Sequence, residues 1–535
     1  MLPLARPPSS TRIPLALAAC CLYPAARMAS ALSTTIVFPL SLNDPSLLGD
    51  ANVDGDTTFD VINPASKDGA EVLAKVSLMD RSDANRLVQR SGNALESWRD
   101  GTTGTHRAGI LSRWSNLIKE NSEDLAAIMT YESGKPLVES RGEVSYATSF
   151  LDYYATEAVR PSSAGGGFIT PTTFVTPEGA PRGKILAVQE AVGVTAMITP
   201  WNFPAAMITR KVGPALAAGC TAILKPSELT PLTAIALYQL GRRAGIPDGV
   251  FEIVTADRKS TPGVGEEFCT NPIVRKVSFT GSVTVGKEIM KQSAETVKKV
   301  SLELGGNAPF IVFDDTDIDL AVSAAISAKF RNAGQTCVCA DRFLIHSSIE
   351  DKFCSKVIDR VSQFTVGCGI DPSTTMGPLI TATAAQNIKE KVDEAISEGA
   401  KCILGGSLLP NVGPNFFEPT ILKDISPSSR IWKEETFGPV FAMISFDKEE
   451  EAIELANDSS LGLASYLCSK DLSRVFRVAG KLETGLVGIN EGIIATSVAP
   501  FGGVKESGLG REGSSKGIDE YLETKYMFIN FDSKA

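Results

Sequence analysis

A cysteine and a distant glutamate carry the residue types that acyl chemistry needs. Cys337 ends the segment Gly334-Gln335-Thr336-Cys337, and Glu303 opens Glu303-Leu304-Gly305-Gly306 one strand and one helix upstream. A thiolate adds to a carbonyl carbon, and a carboxylate nearby can activate the water that releases the acyl group. The two histidines, His106 and His346, lie outside glycine-rich segments. The alternative is that Cys337 is a small core residue, the common fate of a lone cysteine.

A rigid loop offers a candidate oxyanion donor. In Thr199-Pro200-Trp201-Asn202-Phe203-Pro204, two prolines and two aromatic residues surround Asn202 directly after an apolar strand pattern. A side-chain amide held at the carboxyl end of a strand can stabilise the negative charge that develops on a carbonyl oxygen. The loop therefore predicts a site for a reacting carbonyl group.

Two turns that follow strands are suited to a nucleotide. In Lys225-Pro226-Ser227-Glu228 the lysine can bond ribose hydroxyls or phosphate, and Glu228 can accept from a 2′-hydroxyl while repelling a 2′-phosphate. An ordinary exposed turn is the alternative. The segment 280–286 contains Gly281 and Gly286, which let backbone amides approach a phosphate at a helix N-terminus.

The second turn also resembles a P-loop, because Lys287 follows Gly286. Position 288 is a glutamate, however, where that motif needs serine or threonine to hold magnesium, so a triphosphatase is rejected. The segment does not match the G-x-G-x-x-G dinucleotide fingerprint either. Its spacing alone indicates only that an anion binds there.

The elements that position these residues alternate between strands and helices from about residue 185 onward. Buried strands are predicted at 192–198, 221–224, 250–254 and 274–279, with helices at 204–218 and 231–244 that end at Gly219 and Gly245. A second series begins after Gly306, with a strand at 309–313 and a helix at 317–330. This alternation predicts an α/β fold with a doubly wound parallel sheet, a second α/β domain, and a ligand cleft at the carboxyl ends of strands.

Composition limits the possible partners. A chain of 535 residues that is 43% hydrophobic is expected to form two or three domains. The 52 basic and 62 acidic residues, with a pI of about 5.1, argue against a nucleic-acid surface. Ten cysteines lack the spacing of a disulfide framework or a zinc site, so no metal is expected and a reducing compartment is predicted.

The first 43 residues have the composition of a targeting segment. They contain Arg6, Arg12 and Arg27 and no acidic residue before Asp44, which predicts a mitochondrial presequence and a disordered N-terminus. A secretory signal is an alternative, because 13–26 is mostly apolar and Ala29-Ser30-Ala31 resembles a cleavage site. A plastid route and an untargeted tail stay open. No later apolar run approaches the roughly 20 residues that span a bilayer, so no membrane association is expected.

Six motifs occur together in one order, and with them the chain resembles the aldehyde dehydrogenase superfamily over roughly residues 58–530. They are Pro200-Trp201-Asn202-Phe203-Pro204, Lys225-Pro226, Phe279-Thr280-Gly281-Ser282, Glu303-Leu304-Gly305-Gly306, Gly334-Gln335-Thr336-Cys337 and Glu435-Thr436-Phe437-Gly438-Pro439. Within the superfamily, segments 207–211, 329–332, 337–339 and 500–513 are most similar to succinate-semialdehyde dehydrogenases.

The resemblance implies a domain order and an assembly. A presequence over 1–43 would precede a cofactor domain over 44–302, which includes an arm segment at about 160–187. A catalytic domain over 303–500 and a C-terminal oligomerisation arm over 501–535 would follow. The expected assembly is a homo-oligomer, either a dimer or a tetramer.

The resemblance also implies residue roles. Cys337 would be the nucleophile, Asn202 and the Cys337 backbone N–H would bind the oxyanion, and Glu303 would activate water. Arg210 and Arg331 would clamp a substrate carboxylate. Ser497 would also bind substrate, and Cys339 would pair reversibly with Cys337 in a disulfide. NAD, with NADP possible, would be held by a larger set: Thr199, Pro200, Trp201, Lys225, Ser227, Glu228, Gly281, Ser282, Gly286, Glu303, Leu304, Glu435 and Phe437.

Two departures from the family pattern stand out. Residues 50–59 lack the usual strand with an aromatic-Ile-Asn-Gly-x-Trp pattern, so a shortened N-terminal edge strand is expected. Ala495 stands where close relatives carry a serine that helps bind the carboxylate. Either a neighbouring hydroxyl, on Thr496 or Ser497, substitutes for it or the clamp is weaker.

The predicted reaction is the NAD-dependent oxidation of succinate semialdehyde to succinate, as in 4-aminobutanoate degradation. It would proceed through a cysteine thiohemiacetal and a thioester. Glutarate semialdehyde, one methylene longer, and a broader range of aldehydes are close alternatives, since a methylene changes discrimination by only about 1–3 kcal/mol. A non-catalytic structural protein of the same fold is an alternative from another class.

Overall fold

The structure is a computed structural model that describes residues 34–36, 42–49 and 57–530. Its helices include those predicted at 204–218, 231–244 and 317–330, each confirmed to within two residues. The helices are α1 Arg81–Arg99, α2 Gly104–Glu120, α3 Ser122–Ser133, α4 Leu137–Glu157, α5 Ala206–Ala218, α6 Pro231–Arg243, α7 Thr261–Thr270, α8 Val283–Ser293, α9 Ile318–Phe330, α10 Glu350–Val361, α11 Ala382–Ser397, α12 Arg430–Lys433, α13 Glu449–Asn457, α14 Leu472–Ala479 and α15 Ser514–Asp519. In this part of the chain no helix is long and apolar enough to cross a membrane.

The predicted strands are also confirmed, with ends shifted by at most two residues. The strands are β1 Thr34–Ile36, β2 Thr58–Ile62, β3 Val72–Ser77, β4 Gly167–Thr170, β5 Gly183–Ala191, β6 Val194–Ile198, β7 Thr221–Lys225, β8 Phe251–Ile253, β9 Val274–Thr280, β10 Lys299–Glu303, β11 Ala308–Val312, β12 Ala340–His346, β13 Lys401–Leu404, β14 Thr420–Lys423, β15 Val440–Phe446, β16 Leu461–Gly462, β17 Ala464–Cys468, β18 Leu486–Ile489, β19 Val504–Lys505, β20 Gly508–Leu509 and β21 Leu522–Asn530.

A six-stranded sheet places the first group of candidate residues. Its order is β20-β10-β9-β6-β7-β8, and all pairs are parallel except β10 with β20. In register, Ile198 pairs with Lys225 and with Phe279, and Thr280 pairs with Glu303. The carboxyl ends of four neighbouring strands therefore lie in line, which brings Lys225, the glycine turn and Glu303 to one edge.

A seven-stranded sheet, of order β13-β14-β15-β12-β11-β17-β18, supports Cys337. It is parallel except for the β13–β14 pair. The rings of Phe310, Phe343 and Tyr466 pack together on its central strands, with centroid separations of 5.4 and 5.5 Å from Phe310 to the other two. Cys337 lies in the connection between α9 and β12, just before the amino end of β12.

The chain ends pair with earlier segments. Strand β21 runs antiparallel to β5 from Leu522 opposite Ala191 to Asn530 opposite Gly183, and β4 flanks β5 on its other side. Strands β1, β3 and β2 form a three-stranded sheet in that order, with the short β1 at one edge and β2 at the other. The backbone N–H of Asn43 donates to the Asp124 carboxylate at 2.9 Å.

These pairings bear on two expectations from the sequence. Residues 34–36, which precede the predicted boundary at residue 43, form β1 and pair with β3 on the other side of that boundary. The expectation for residues 1–33 and most of the shortened stretch at 50–59 lie outside the described residues.

Candidate active site

A left-handed turn directs Cys337 out of helix α9. Asn332, Ala333 and Gly334 have φ angles of 52°, 53° and 76°, a region that residues with a Cβ rarely adopt. At Gly334 a Cβ would lie 2.2 Å from the carbonyl oxygen of Gly438, so only glycine fits there. The turn therefore ends the helix sharply and leaves Cys337 at the junction of two cavities.

The first cavity joins the two sheets. It has a volume of about 250 Å³, and its walls include most of the residues predicted to act on an aldehyde and a nucleotide. The lining residues are Pro200, Trp201, Asn202, Thr280, Gly281, Ser282, Glu303, Leu304, Gly305, Cys337, Glu435 and Phe437. The structure thus brings Cys337 and Glu303, which are 34 residues apart, together with Asn202, which precedes them by 135 and 101 residues.

Two glycines let the walls of the site pack closely. A Cβ at Gly305 would lie 2.8 Å from Glu435 Oε2, and one at Gly286 would lie 2.6 Å from Leu304 Cδ2. The bare backbone at these positions therefore accommodates the Glu435 and Leu304 side chains, both of which line the cavity. Ser282 caps helix α8, accepting from Val285 N at 3.4 Å, at the same wall.

The remaining predicted nucleotide residues lie just beyond this cavity. The Lys225 ammonium is buried at the end of β7, and its Nζ lies 3.5 Å from the Glu228 carboxylate. The Thr199 N–H donates to the Lys225 carbonyl at 3.1 Å, and the Ser227 hydroxyl accepts from Leu229 N at 3.2 Å. Together these residues form a polar group at the carboxyl ends of β6 and β7.

Burial favours the neutral form of both reactive groups. It raises the pKa of the Cys337 thiol to about 12, against the lowering effect of Arg210. Burial, and next the nearby Glu512 carboxylate, raise the pKa of Glu303 well above its ordinary value. Glu303 Oε2 has no hydrogen-bond partner among the described residues. One carboxyl oxygen is therefore free for a water or a reacting group.

A narrow channel leads from Cys337 in the other direction. Its wall is made by Tyr146, Phe203, Met207, Arg210, Arg331, Thr336, Cys337, Val338, Ala495 and Phe501. Four of these residues, Tyr146, Phe203, Arg331 and Ala495, also line a wider cavity of about 280 Å³. Ser497 is buried but does not belong to either lining.

The two predicted arginines differ in their surroundings. Arg210 is buried, forms an ion pair with Glu512, and stacks with its Cζ 4.4 Å from the centroid of Phe501. Lys211 pairs with the same carboxylate, so two cations share one anion and the cluster keeps a net positive charge. Arg331 lies with its Cζ 5.2 Å from the centroid of Phe203 and forms no ion pair within the described part of the chain. Arg331 is thus the cation of the channel that is open to an anionic ligand.

Cys339 lies away from these cavities. Its thiol is buried and donates to the carbonyl oxygen of Lys329 at 3.3 Å, and burial raises its pKa to about 12. Both Cys337 and Cys339 are free thiols in the structure. A reversible disulfide between them stays a prediction.

Comparison with known proteins agrees with this arrangement. The family model described as "Aldehyde dehydrogenase family" matches residues 52–527. The chain belongs to the aldehyde dehydrogenase family. It is 50% identical over 471 residues to succinate-semialdehyde dehydrogenase [NADP(+)] of Escherichia coli. The matched residues make up 88% of this chain and 94% of that protein.

Two further relatives of this aldehyde dehydrogenase have similar coverage. Glutarate-semialdehyde dehydrogenase of Pseudomonas putida is 49% identical over 479 residues, or 90% of this chain and 96% of that protein. The crystal structure of succinate-semialdehyde dehydrogenase from Burkholderia pseudomallei has a TM-score of 0.87 at 48% identity, covering 92% of this chain and all of that one.

Sequence reasoning missed a polar group on helix α4 that holds the site together. In this aldehyde dehydrogenase the Lys135 ammonium lies 2.5 Å from Glu143 Oε2 and donates to the Asn202 carbonyl at 2.6 Å. Glu143 Oε1 accepts from the backbone N–H groups of Ala205 and Ala206 at 2.9 and 3.2 Å. Helix α5 has no side-chain cap of its own, so Glu143 supplies one.

The same helix also reaches the Cys337 turn. Glu139 Oε2 accepts from Asn332 N at 2.9 Å, and Asn332 Nδ2 donates to the Asn202 carbonyl at 3.1 Å. Asn202 Nδ2 in turn donates to the Gln335 carbonyl at 3.1 Å, which links the two loops directly. Acidic residues four apart are typical of a solvated helix face, so the sequence carried no signal that separates this buried role from an exposed one.

Proposed function

We propose that this enzyme oxidises succinate semialdehyde to succinate with NAD. The observation that carries the proposal is the placement of Arg331, a cation without an ion-pair partner in the described part of the chain, on the channel that begins at Cys337. An aldehyde that bears a carboxylate at its far end can reach Cys337 while its charge meets this guanidinium. Two relatives of about 50% identity are named for succinate and glutarate semialdehyde, which supports a short anionic aldehyde.

In the first chemical step Cys337 Sγ bonds to the aldehyde carbon while the thiol proton passes to the solvent. The oxyanion of the resulting thiohemiacetal would accept from the Cys337 backbone N–H and from the Asn202 side-chain amide, which lies at the same cavity wall. The oxyanion then re-forms the carbonyl double bond as the carbon loses a hydride, which leaves a thioester. A nicotinamide cofactor, when bound, supplies the hydride acceptor.

The second step releases the acid. Once ionised, Glu303 can take a proton from a water molecule, and the hydroxide adds to the thioester carbon. The carbon–sulfur bond breaks, so the carboxylic acid leaves and the Cys337 thiol is restored. Glu303 is buried and Cys337 is partly buried in one cavity, where the low dielectric strengthens the interactions between these groups.

The cavity residues suit a dinucleotide. Lys225 and Glu435 would hold the ribose hydroxyls, and the segment from Gly281 to Gly286 would lie against the pyrophosphate. Burial raises the pKa of Glu435 to about 8, and its Oε1 accepts from Gly306 N at 3.0 Å. Trp201 and Phe437, with ring centroids 5.5 Å apart in an edge-to-face pair, close one side of the cavity.

We expect NAD to be preferred over NADP because Glu228 lies beside Lys225. A 2′-phosphate near Lys225 would meet the Glu228 carboxylate, which lies 3.5 Å from that ammonium. Replacing Glu228 with glutamine removes the repulsion, so kcat/KM with NADP should rise about tenfold while kcat/KM with NAD changes little. The exposed Glu288→Gln on α8 is the matched control. An equal or higher kcat/KM of the native enzyme with NADP would refute the NAD assignment.

We expect Arg331→Gln to lower kcat/KM for succinate semialdehyde by about ten- to a hundredfold. Each charge-assisted hydrogen bond to a carboxylate contributes roughly 1.5–3 kcal/mol, and butanal, which has no carboxylate, loses none of it. Arg331 is a cleaner test than Arg210, since truncation of Arg210 would also leave Glu512 with one cation fewer. Initial rates with both aldehydes measure the effect.

A matched arginine completes that test. Arg360, exposed at the end of α10, should tolerate glutamine without a change on either aldehyde. Equal losses on both aldehydes in Arg331→Gln would indicate a folding defect, and no loss on either would end the assignment.

Glutarate semialdehyde is the second candidate. The wide cavity of about 280 Å³ adjoins the channel at Arg331 and Ala495, so there is space for one more methylene. Comparing kcat/KM for the two semialdehydes decides between them. A higher value for glutarate semialdehyde would make that aldehyde the assigned substrate.

A further inference from the structure

Two hydroxyl groups in the channel have no acceptor within the described part of the chain. The Thr336 oxygen is buried without a hydrogen bond among the described residues, and the buried Tyr146 hydroxyl, which interacts with the Arg210 side chain, donates to none of them. Both residues line the channel that also contains Cys337 and Arg331. Buried polar atoms are nearly always paired, so an unpaired hydroxyl at a channel wall indicates a ligand that pairs with it.

Tyr146 lines the same channel as Arg210 and Arg331. Burial raises the pKa of its hydroxyl, while Arg210, through its charge and a side-chain hydrogen bond, and Arg331, through its charge, act to lower it. The group therefore stays protonated at neutral pH and is available as a donor. Its ring packs edge-on against Phe150, with centroids 4.8 Å apart, and this contact fixes its direction from helix α4.

Position 495 of the lining carries no hydroxyl. Ala495 lines both the channel and the wide cavity together with Tyr146 and Arg331, and it presents a methyl group there. Thr496 and Ser497, the neighbours expected to compensate, do not belong to either lining. Tyr146, in contrast, belongs to both and carries a free donor.

We infer that the Tyr146 hydroxyl donates a hydrogen bond to the substrate carboxylate held at Arg331, and that it replaces the hydroxyl absent at Ala495. This inference rests on the proposed function, because it assumes an anionic aldehyde. Tyr146 thereby acts as a specificity residue: it touches the end of the substrate remote from the reacting carbon. Two donors, the Arg331 guanidinium and the Tyr146 phenol, then bind one carboxylate.

The test is Tyr146→Phe, which removes only the hydroxyl. We expect kcat/KM for succinate semialdehyde to fall about ten- to a hundredfold through KM, with butanal unchanged. Inhibition by succinate, the product, should weaken by a similar factor. The matched control is Tyr154→Phe, because Tyr154 lies on the same helix, its hydroxyl is also buried without a partner, and it does not line the channel.

A second variant tests the replacement itself. Adding Ala495→Ser to Tyr146→Phe restores a hydroxyl from the other wall, so part of the lost kcat/KM should return. If kcat/KM does not rise, the two hydroxyls are not interchangeable, and the inference that Tyr146 replaces the hydroxyl absent at Ala495 is overturned. Equal losses on both aldehydes in Tyr146→Phe, or no loss on either, would also overturn it.

The outcomes separate this inference from the proposed function. If Arg331→Gln loses activity on succinate semialdehyde alone but Tyr146→Phe does not, the function stands and the role of Tyr146 is refuted. If the native enzyme favours butanal over both semialdehydes, the proposed function fails, and this inference is refuted with it.

Discussion

Cys337→Ser is expected to abolish aldehyde oxidation, with kcat falling about 1,000-fold or more. A hydroxyl is a far weaker nucleophile than a thiol, and the chain places no histidine at the cavity wall to activate it. Burial already raises the pKa of the native thiol to about 12, so an alcohol in the same position has still less access to its anion. NADH formation measured by absorbance gives the rate.

Cofactor binding and a neighbouring cysteine provide the controls for this variant. The cavity around Glu435 and Phe437 is unchanged by the substitution, so NAD should still quench tryptophan fluorescence with native affinity. Cys339→Ser, two residues away and outside both cavities, should keep native activity under reducing conditions. Substantial turnover by Cys337→Ser would mean that another group forms the bond to the aldehyde.

Glu303→Gln is expected to produce one burst of NADH followed by turnover at least about a hundredfold slower than that of the native enzyme. The thiol is retained, so the acyl group still forms. The glutamine amide, however, cannot take a proton from water, so the thioester persists. Stopped-flow absorbance resolves the burst from the steady state, and the burst amplitude counts the acylated sites.

The pH dependence of the native enzyme follows from the same residue. Because burial raises the pKa of Glu303, the carboxyl group ionises at a higher pH than an ordinary glutamate does. Steady-state turnover should therefore increase with pH, and Glu303→Gln should lose this dependence. A glutamine variant with the native rate would refute the role of Glu303, whereas loss of the burst would show that Glu303 also takes the thiol proton.

The positions of Asn202 and Lys225 could be predicted because each lies at or just after the end of a buried parallel strand. Strand periodicity locates the ends of β6 and β7 to within two residues, and parallel strands bring their carboxyl ends to one edge. The strand that ends at Glu303 is not predicted from the sequence, so Glu303 is placed by its motif alone.

Contacts across long sequence separations could not be predicted. Lys211 and Glu512 are 301 residues apart, and the Arg210 pair with the same carboxylate is equally remote. The buried role of Glu139 and Glu143 depends on which face of α4 packs inward, and charged residues four apart favour the opposite choice. The left-handed turn at Asn332 and Ala333 has no residue signal, since alanine disfavours that conformation.

The pairing of the C-terminal segment with the cofactor sheet has a consequence for synthesis on the ribosome. Gly508 of β20 pairs with Glu303, Glu512 is the carboxylate that holds Arg210, and β21 closes against β5. At about 5–20 residues per second, the ribosome takes roughly 10 to 40 s to proceed from Cys337 to the start of β21. During that interval the nascent chain carries its nucleophile without the surroundings that make it reactive toward aldehydes, so the site is completed only after β21 has been synthesised.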